Sequence, residues 1–211
     1  MSIEATSKKP GALGKILNIP VFATTQNKSR LGETCEELGL DSPDGISTKV
    51  HADKTAFSMW TPEVQKAFAD LPPTTPPTAK RECIIVGIES HICVTQTTLD
   101  LLREGNKVYV LADGVSSCNK EEVPIALARL RAEGAVVTTS ESWMYECMGD
   151  AGIHEYVVCT PPQRRKLNYD FLSNGARLAL MLRLFRFKEI AKLVKETKDS
   201  TQQSLQTLCK M

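Results

Sequence analysis

Nowhere in the chain do roughly 18 apolar residues run together, the minimum for a bilayer span. No apolar segment follows a basic start, so neither a membrane span nor a secretory leader is expected. Charge of one sign is also lacking. Lysine and arginine number 26 and aspartate and glutamate 25, a net charge of +1. Such a balance offers no field to steer nucleic acid or an acidic partner. The seven cysteines are odd in number and share no short repeated spacing. That argues against both a disulfide framework and a zinc site. Unpaired thiols suit a reducing compartment, the cytoplasm first, with mitochondrion or peroxisome as alternatives. No glycine-rich phosphate loop is present, and no cofactor is expected.

What is there reads as one α/β domain. A chain of 211 residues can bury one sizeable core and is short for two. Val21 to Thr25 is the first convincing strand, and Gln26 to Gly32 the loop at its carboxyl end. Glu33 to Ser47 reads as loop, and Thr48 to Val50 adds a short strand. Thr61-Pro62-Glu63 is a helix start, with a cap, a proline at the first position and an acid in the first turn. Lys107 to Ala112 and Ala135 to Thr138 are further strands. Glu121 to Glu133 is an amphipathic helix stopped by Gly134, and Ser140 with Glu141 is expected to cap a last one. Strands alternating with helices predict a mostly parallel sheet covered on both faces, a three-layer α/β/α architecture.

The chemistry concentrates between Cys83 and Leu102. Cys83 to Val86 is an unbroken apolar run, the pattern of a strand buried on both faces. Gly87 ends it, a polar turn of Glu89, Ser90 and His91 follows, and Cys93 then opens a helix. Unpaired N–H groups at a helix start favour a thiolate and can hold an oxyanion. The plainer reading is an inert cysteine packed under the helix. His51 and His154 stand alone and read as surface residues.

The segment Gly87-Ile88-Glu89-Ser90-His91-Ile92-Cys93-Val94, followed by Gln96-Thr97 and Leu99-Asp100-Leu101-Leu102, resembles the isochorismatase-like hydrolases. Within them it is most similar to the animal isochorismatase domain-containing proteins. Thr24-Thr25-Gln26 with Leu31-Gly32, and Lys54 to Met59, match two further blocks; Ala112 to Ser117 and Thr138 to Glu141 match two more. The resemblance implies a nucleophile at Cys93, the lysine of an Asp-Lys-Cys triad at Lys54, and a cis peptide between Ile88 and Glu89 that aims backbone N–H groups at an oxyanion. Gln26 either lines the pocket or is a solvated loop amide, and His91 lines the pocket. No Asp-x-His constellation like that of nicotinamidases is present, so no metal is implied. The implied partners are a small-molecule substrate and further copies of the chain in a homo-oligomer, with no nucleic acid and no membrane span.

Two departures from the family pattern shape the expectation. The family's opening strand ends in Asp-x-Gln and supplies the triad acid. Here only twenty residues precede Val21 and Glu4 is the sole acid among them. A domain lacking its first strand, with impaired catalysis, is therefore expected. Second, an atypical insert occupies residues 152–186 between the domain of 1–151 and a returning helix at 187–198, ahead of a mobile tail at 199–211. The insert reads as an interfacial or partner-binding helix, or as sequence foreign to the domain from a splice variant or gene model. Two functions follow: a hydrolase of small amides with an incomplete triad, or a non-catalytic binding or regulatory protein using the same pocket.

Overall fold

The computed structural model describes residues 19–40 and 47–149, and the helical positions 193, 195, 196, 199, 202 and 206. The chain before residue 19 and the insert at 152–186 lie outside the described residues, and so does the question of an opening strand. Asp199, Gln202 and Gln206, in the segment read as a tail, are helical.

Among the described residues five strands form two parallel sheets. β1 (Val21–Gln26) pairs with β2 (Thr48–Lys54), aligning Gln26 with Lys54. β3 (Glu82–Gly87), β4 (Lys107–Val115) and β5 (Val136–Thr138) form the second sheet in that order. The loop after β1 holds one helical turn, α1 (Lys28–Leu31). α2 (Pro62–Ala69) connects β2 to β3, α3 (Thr95–Arg103) connects β3 to β4, and α4 (Glu122–Ala132) connects β4 to β5. A parallel neighbour needs such a crossover, because a two-residue turn can only reverse the chain.

β4 is the centre of the core. Val108, Tyr109, Val110 and Leu111 are all at most 1% exposed, so both of its faces are covered. Val108 and Val110 pack with Val94, Leu101, Val123, Leu127 and Leu130 from the α3 and α4 side. Side chains alternate along a strand, so Tyr109 looks the other way. It meets Trp143 of the last helix, α5 (Ser140–Met148), edge to face at 6.4 Å. Helices on opposite faces of one strand make the three layers. The smaller sheet has its own cluster of Val50, Ala52 and Val64, and Trp60 packs against both clusters. The Trp60 ring stacks edge-on to Phe68 at 5.0 Å, and Phe68 in turn meets Phe22 at 5.8 Å.

Four local expectations need correction. Cys83 to Val86 is a strand but is not buried on both faces: only Ile85 is buried, while Val86 is 39% and Ile88 43% exposed. Among the described strands β3 pairs with β4 alone, so an apolar run suited to a central strand has one described neighbour. Ser140 does not cap α5. Thr139 does, its hydroxyl accepting from the Ser142 N–H at 3.2 Å, which frees Ser140 for a buried partner. His51 is half-buried and hydrogen-bonds the Thr34 hydroxyl at 2.8 Å, instead of lying free on the surface. The stretch Gln26 to Gly32 is not loop throughout, since it holds α1.

Candidate active site

All four crossovers leave from the carboxyl ends of strands, the edge where ligands gather in open parallel sheets. β2 delivers Lys54 there and β3 delivers the turn bearing Cys93. Gly87 closes β3 at φ 124°, a conformation that disfavours any residue with a Cβ. The Ile88–Glu89 peptide that follows is cis. Ser90 to Val94 then forms one π-helical turn before α3 begins. That turn is stitched to the loop after β4. The Ser90 N–H and hydroxyl both donate to the Ser116 carbonyl, at 2.9 and 2.8 Å, and the Ser116 N–H donates to Gly87 at 3.1 Å.

Lys54 is 7% exposed and its Nζ lies 4.0 Å from Cys93 Sγ. An ammonium has three protons to donate. Lys54 gives them to Gln26 Oε1 at 2.5 Å and to the Ala56 and Phe57 carbonyls at 3.0 Å each. The sulfur is therefore a fourth, more distant acceptor beside a positive charge held in place by three oxygens. Among the described residues the oxygens that accept from that ammonium are neutral. Burial drives the Lys54 pKa below its ordinary value, while Cys93 and then Asp53 draw it back. Asp53 faces away on the strand, accepting from the Thr25 hydroxyl at 2.8 Å and the Lys28 N–H at 3.0 Å. Those two donors hold its carboxyl below the usual range.

Gln26 is held at both ends of its amide. Its oxygen holds Lys54, and its Nε2 donates to the Thr55 carbonyl at 2.8 Å, fixing which way the amide points. Glu89 and His91 turn toward the β4 loop. Glu89 Oε2 accepts from the Ser117 hydroxyl and from the Cys118 N–H, both at 2.7 Å. His91 Nδ1 lies 2.9 Å from the same Ser117 oxygen. Burial opposes ionisation of Glu89, but the Cys118 and Ser117 donors outweigh it and hold the carboxyl below its ordinary value. Ile88 is exposed.

Three supporting residues stand in the sequence only as members of blocks, with no role of their own: Ser117 and Asp113 in Ala112 to Ser117, and Thr97 in Gln96-Thr97. Asp113, 7% exposed, accepts from the Ser140 N–H at 2.7 Å and its hydroxyl at 2.5 Å, tying α5 to β4. Thr97 Oγ1 accepts from the Met59 N–H at 2.9 Å and so ties the loop after Lys54 to α3. A cleft of about 710 Å³ lies elsewhere, at the amino ends of β3 and β4 among Phe68, Pro77, Arg81 and Asn106. It contains neither Cys93 nor Lys54. Among the described residues no three His, Cys, Asp or Glu side chains converge as metal ligands.

An isochorismatase domain model matches residues 3–142, about two thirds of the chain. The chain belongs to the isochorismatase family. It is 42% identical over 142 residues to the secreted isochorismatase effector Isc1 of Phytophthora sojae, covering 67% of this chain and 65% of that protein. The chain spans 44–65% of the length of the first curated relatives it matches. Among solved structures, the MAR1 ribonuclease of Caenorhabditis elegans is 33% identical with a TM-score of 0.61, over 71% of this chain and 72% of that one. The YcaC gene product of Escherichia coli, described as an octameric hydrolase of unknown specificity, has a TM-score of 0.64 at 19% identity, over 97% and 81% of the two chains. That last likeness is one of fold. Among the described residues no helix is long and apolar enough to cross a membrane.

Proposed function

We propose that this chain is a cysteine hydrolase of small amides, with Cys93 as nucleophile and Lys54 as its counter-charge. The Cys93 sulfur attacks the carbonyl carbon, forming a C–S bond and an oxyanion over the start of the π-helical turn, near Ile88 and Glu89. Collapse breaks the C–N bond, and the nitrogen leaves with a proton. Water then cleaves the thioester, releasing a carboxylic acid and restoring the thiol. The observation that carries this reading is the 4.0 Å approach of Lys54 Nζ to Cys93 Sγ across two separate sheets.

No carboxylate among the described residues hydrogen-bonds the Lys54 ammonium. Members of a catalytic set act as a unit, so turnover without the acid falls by several powers of ten. The same observation favours a second reading, a non-catalytic protein that binds a small molecule beside Cys93. Hydrolysis assays with nicotinamide and simple aliphatic amides decide between them, with an RNA substrate as control for the activity named in the nematode relative. Slow amide turnover that vanishes in Cys93→Ala supports the enzyme; ligand binding without turnover supports the second reading. Association of several copies, with the cytoplasm as compartment, completes the proposal. Cys35, Cys83, Cys93 and Cys118 are free thiols, which suits a reducing compartment. Sedimentation of the purified chain tests the assembly.

A further inference from the structure

The Glu89, Ser117 and His91 contacts can be resolved by counting protons. Ser117 has one hydroxyl hydrogen and sits between two groups that can each accept it. Glu89 Oε2, 2.7 Å away, belongs to a carboxylate that also takes the Cys118 N–H, and an ionised carboxylate can only accept. The hydroxyl hydrogen therefore points to Glu89. The opposite arrangement would set a carboxylate oxygen against the lone pairs of the Ser117 oxygen at hydrogen-bond distance. With its hydrogen spent, Ser117 can only accept at 2.9 Å from His91, so His91 Nδ1 carries a proton. The order runs from His91 Nδ1–H to Ser117 and from Ser117 to Glu89. In a neutral imidazole the other nitrogen is then an acceptor. None of the described residues hydrogen-bonds His91 Nε2.

His91 and Cys93 stand two residues apart on the same π-helical turn, on opposite flanks of it. Cys93 approaches Lys54 at the end of β2, and His91 approaches Ser117 after β4. A molecule whose carbonyl lies over the start of that turn has a cation on one flank and, on the other, a base whose orientation is fixed.

We infer that Ser117 and Glu89 hold His91 with its proton on Nδ1, so that Nε2 accepts a hydrogen bond from an N–H group of the molecule Cys93 attacks. His91 is then a specificity-determining residue that favours an amide over a carboxylate, and Ser117 and Glu89 are its positioning residues. The substrate clause rests on the hydrolase reading; the proton position does not.

Two measurements on the full chain test this. Long-range proton–nitrogen correlation spectra of histidine-labelled protein report which nitrogen carries the proton, with His91→Asn assigning the signal. The proton is expected on Nδ1, and Ser117→Ala should release it to Nε2 while Ser117→Thr keeps it. The second measurement is the ratio of Cys93 alkylation rates by iodoacetamide, which carries an N–H donor, and iodoacetate, which carries only acceptors. Asparagine retains a donor toward Ser117 but has no counterpart of Nε2. His91→Asn should therefore lower the ratio by roughly three- to tenfold, the worth of one hydrogen bond. A merely structural role would slow both reagents alike and leave the ratio unchanged. A proton on Nε2 in the unmodified chain, or an unchanged ratio in His91→Asn, overturns the inference. Cys93 that alkylates no faster than the exposed Cys35 and Cys118 counts against the hydrolase reading, and the spectra then decide the proton position alone.

Discussion

Among the described residues the Lys54 ammonium hydrogen-bonds neutral oxygens and approaches the Cys93 sulfur, and this shapes the chemistry available to Cys93. A buried cation is costly unless an opposite charge is at hand, and among the described residues Cys93 and then Asp53 favour the charged form of Lys54. Lys54→Met should lower the rate of Cys93 alkylation by iodoacetamide roughly tenfold or more, since it removes a unit charge about 4 Å from the sulfur. Mass spectrometry of the labelled peptide reads this directly. Cys83 behaves in the opposite sense. Burial pushes its thiol up to about 12, with Glu82 adding to the rise and Arg81 opposing it. Its folded pKa lies above that of an unfolded thiol, about 8.5. The protonated thiol's contribution to stability is therefore complete below that unfolded value and is lost as pH rises toward 12. Native Cys83 should resist alkylation at pH 8 and react after denaturation, and Cys83→Ala should flatten the alkaline loss of stability.

Among the elements, α5 shows how one residue's place along a helix start changes its worth. Thr139 and Ser140 are adjacent hydroxyls, yet one caps the helix in partly solvated surroundings and the other binds a buried carboxylate. Thr139→Ala should cost about 1 kcal/mol, as for an ordinary cap. Ser140→Ala should cost more, about 1–3 kcal/mol, because Asp113 loses a charge-assisted bond inside the protein. Urea denaturation of the two variants side by side tests the order. α2 was legible in advance for a local reason: Thr61 accepts from the Val64 N–H, Pro62 takes the first position, and Glu63 lies in the first turn. The choice between Thr139 and Ser140 was not legible, because it depends on Asp113, 27 residues away in sequence.

At the scale of the whole molecule, the candidate site depends on holding two sheets together. Lys54 comes from the smaller sheet and Cys93 from the larger, and Trp60 is the side chain that packs on both clusters. Trp60→Ala should destabilise the fold by about 3–5 kcal/mol. It should also slow Cys93 alkylation under conditions where the chain remains folded, because the separation of sulfur and ammonium is no longer fixed. Equilibrium unfolding together with labelling rates measures both effects. An unchanged labelling rate would mean that the Thr97 bond to the Met59 N–H and the turn itself suffice to hold the site.

The order of strands and helices, the parallel crossovers and the placing of a cysteine just past a strand were determined by the sequence alone. Each is written in local periodicity, glycine positions and turn chemistry. Only the tertiary structure decided which partners meet: Gln26 with Lys54, Ser117 between Glu89 and His91, and Asp113 with Ser140. Those contacts join residues 26 to 28 positions apart, and no local pattern encodes a distance closed by sheet packing. The burial of β3 was likewise decided in three dimensions. An apolar run carries the demand for a neighbour on each side, whereas the described strands supply one on a single side.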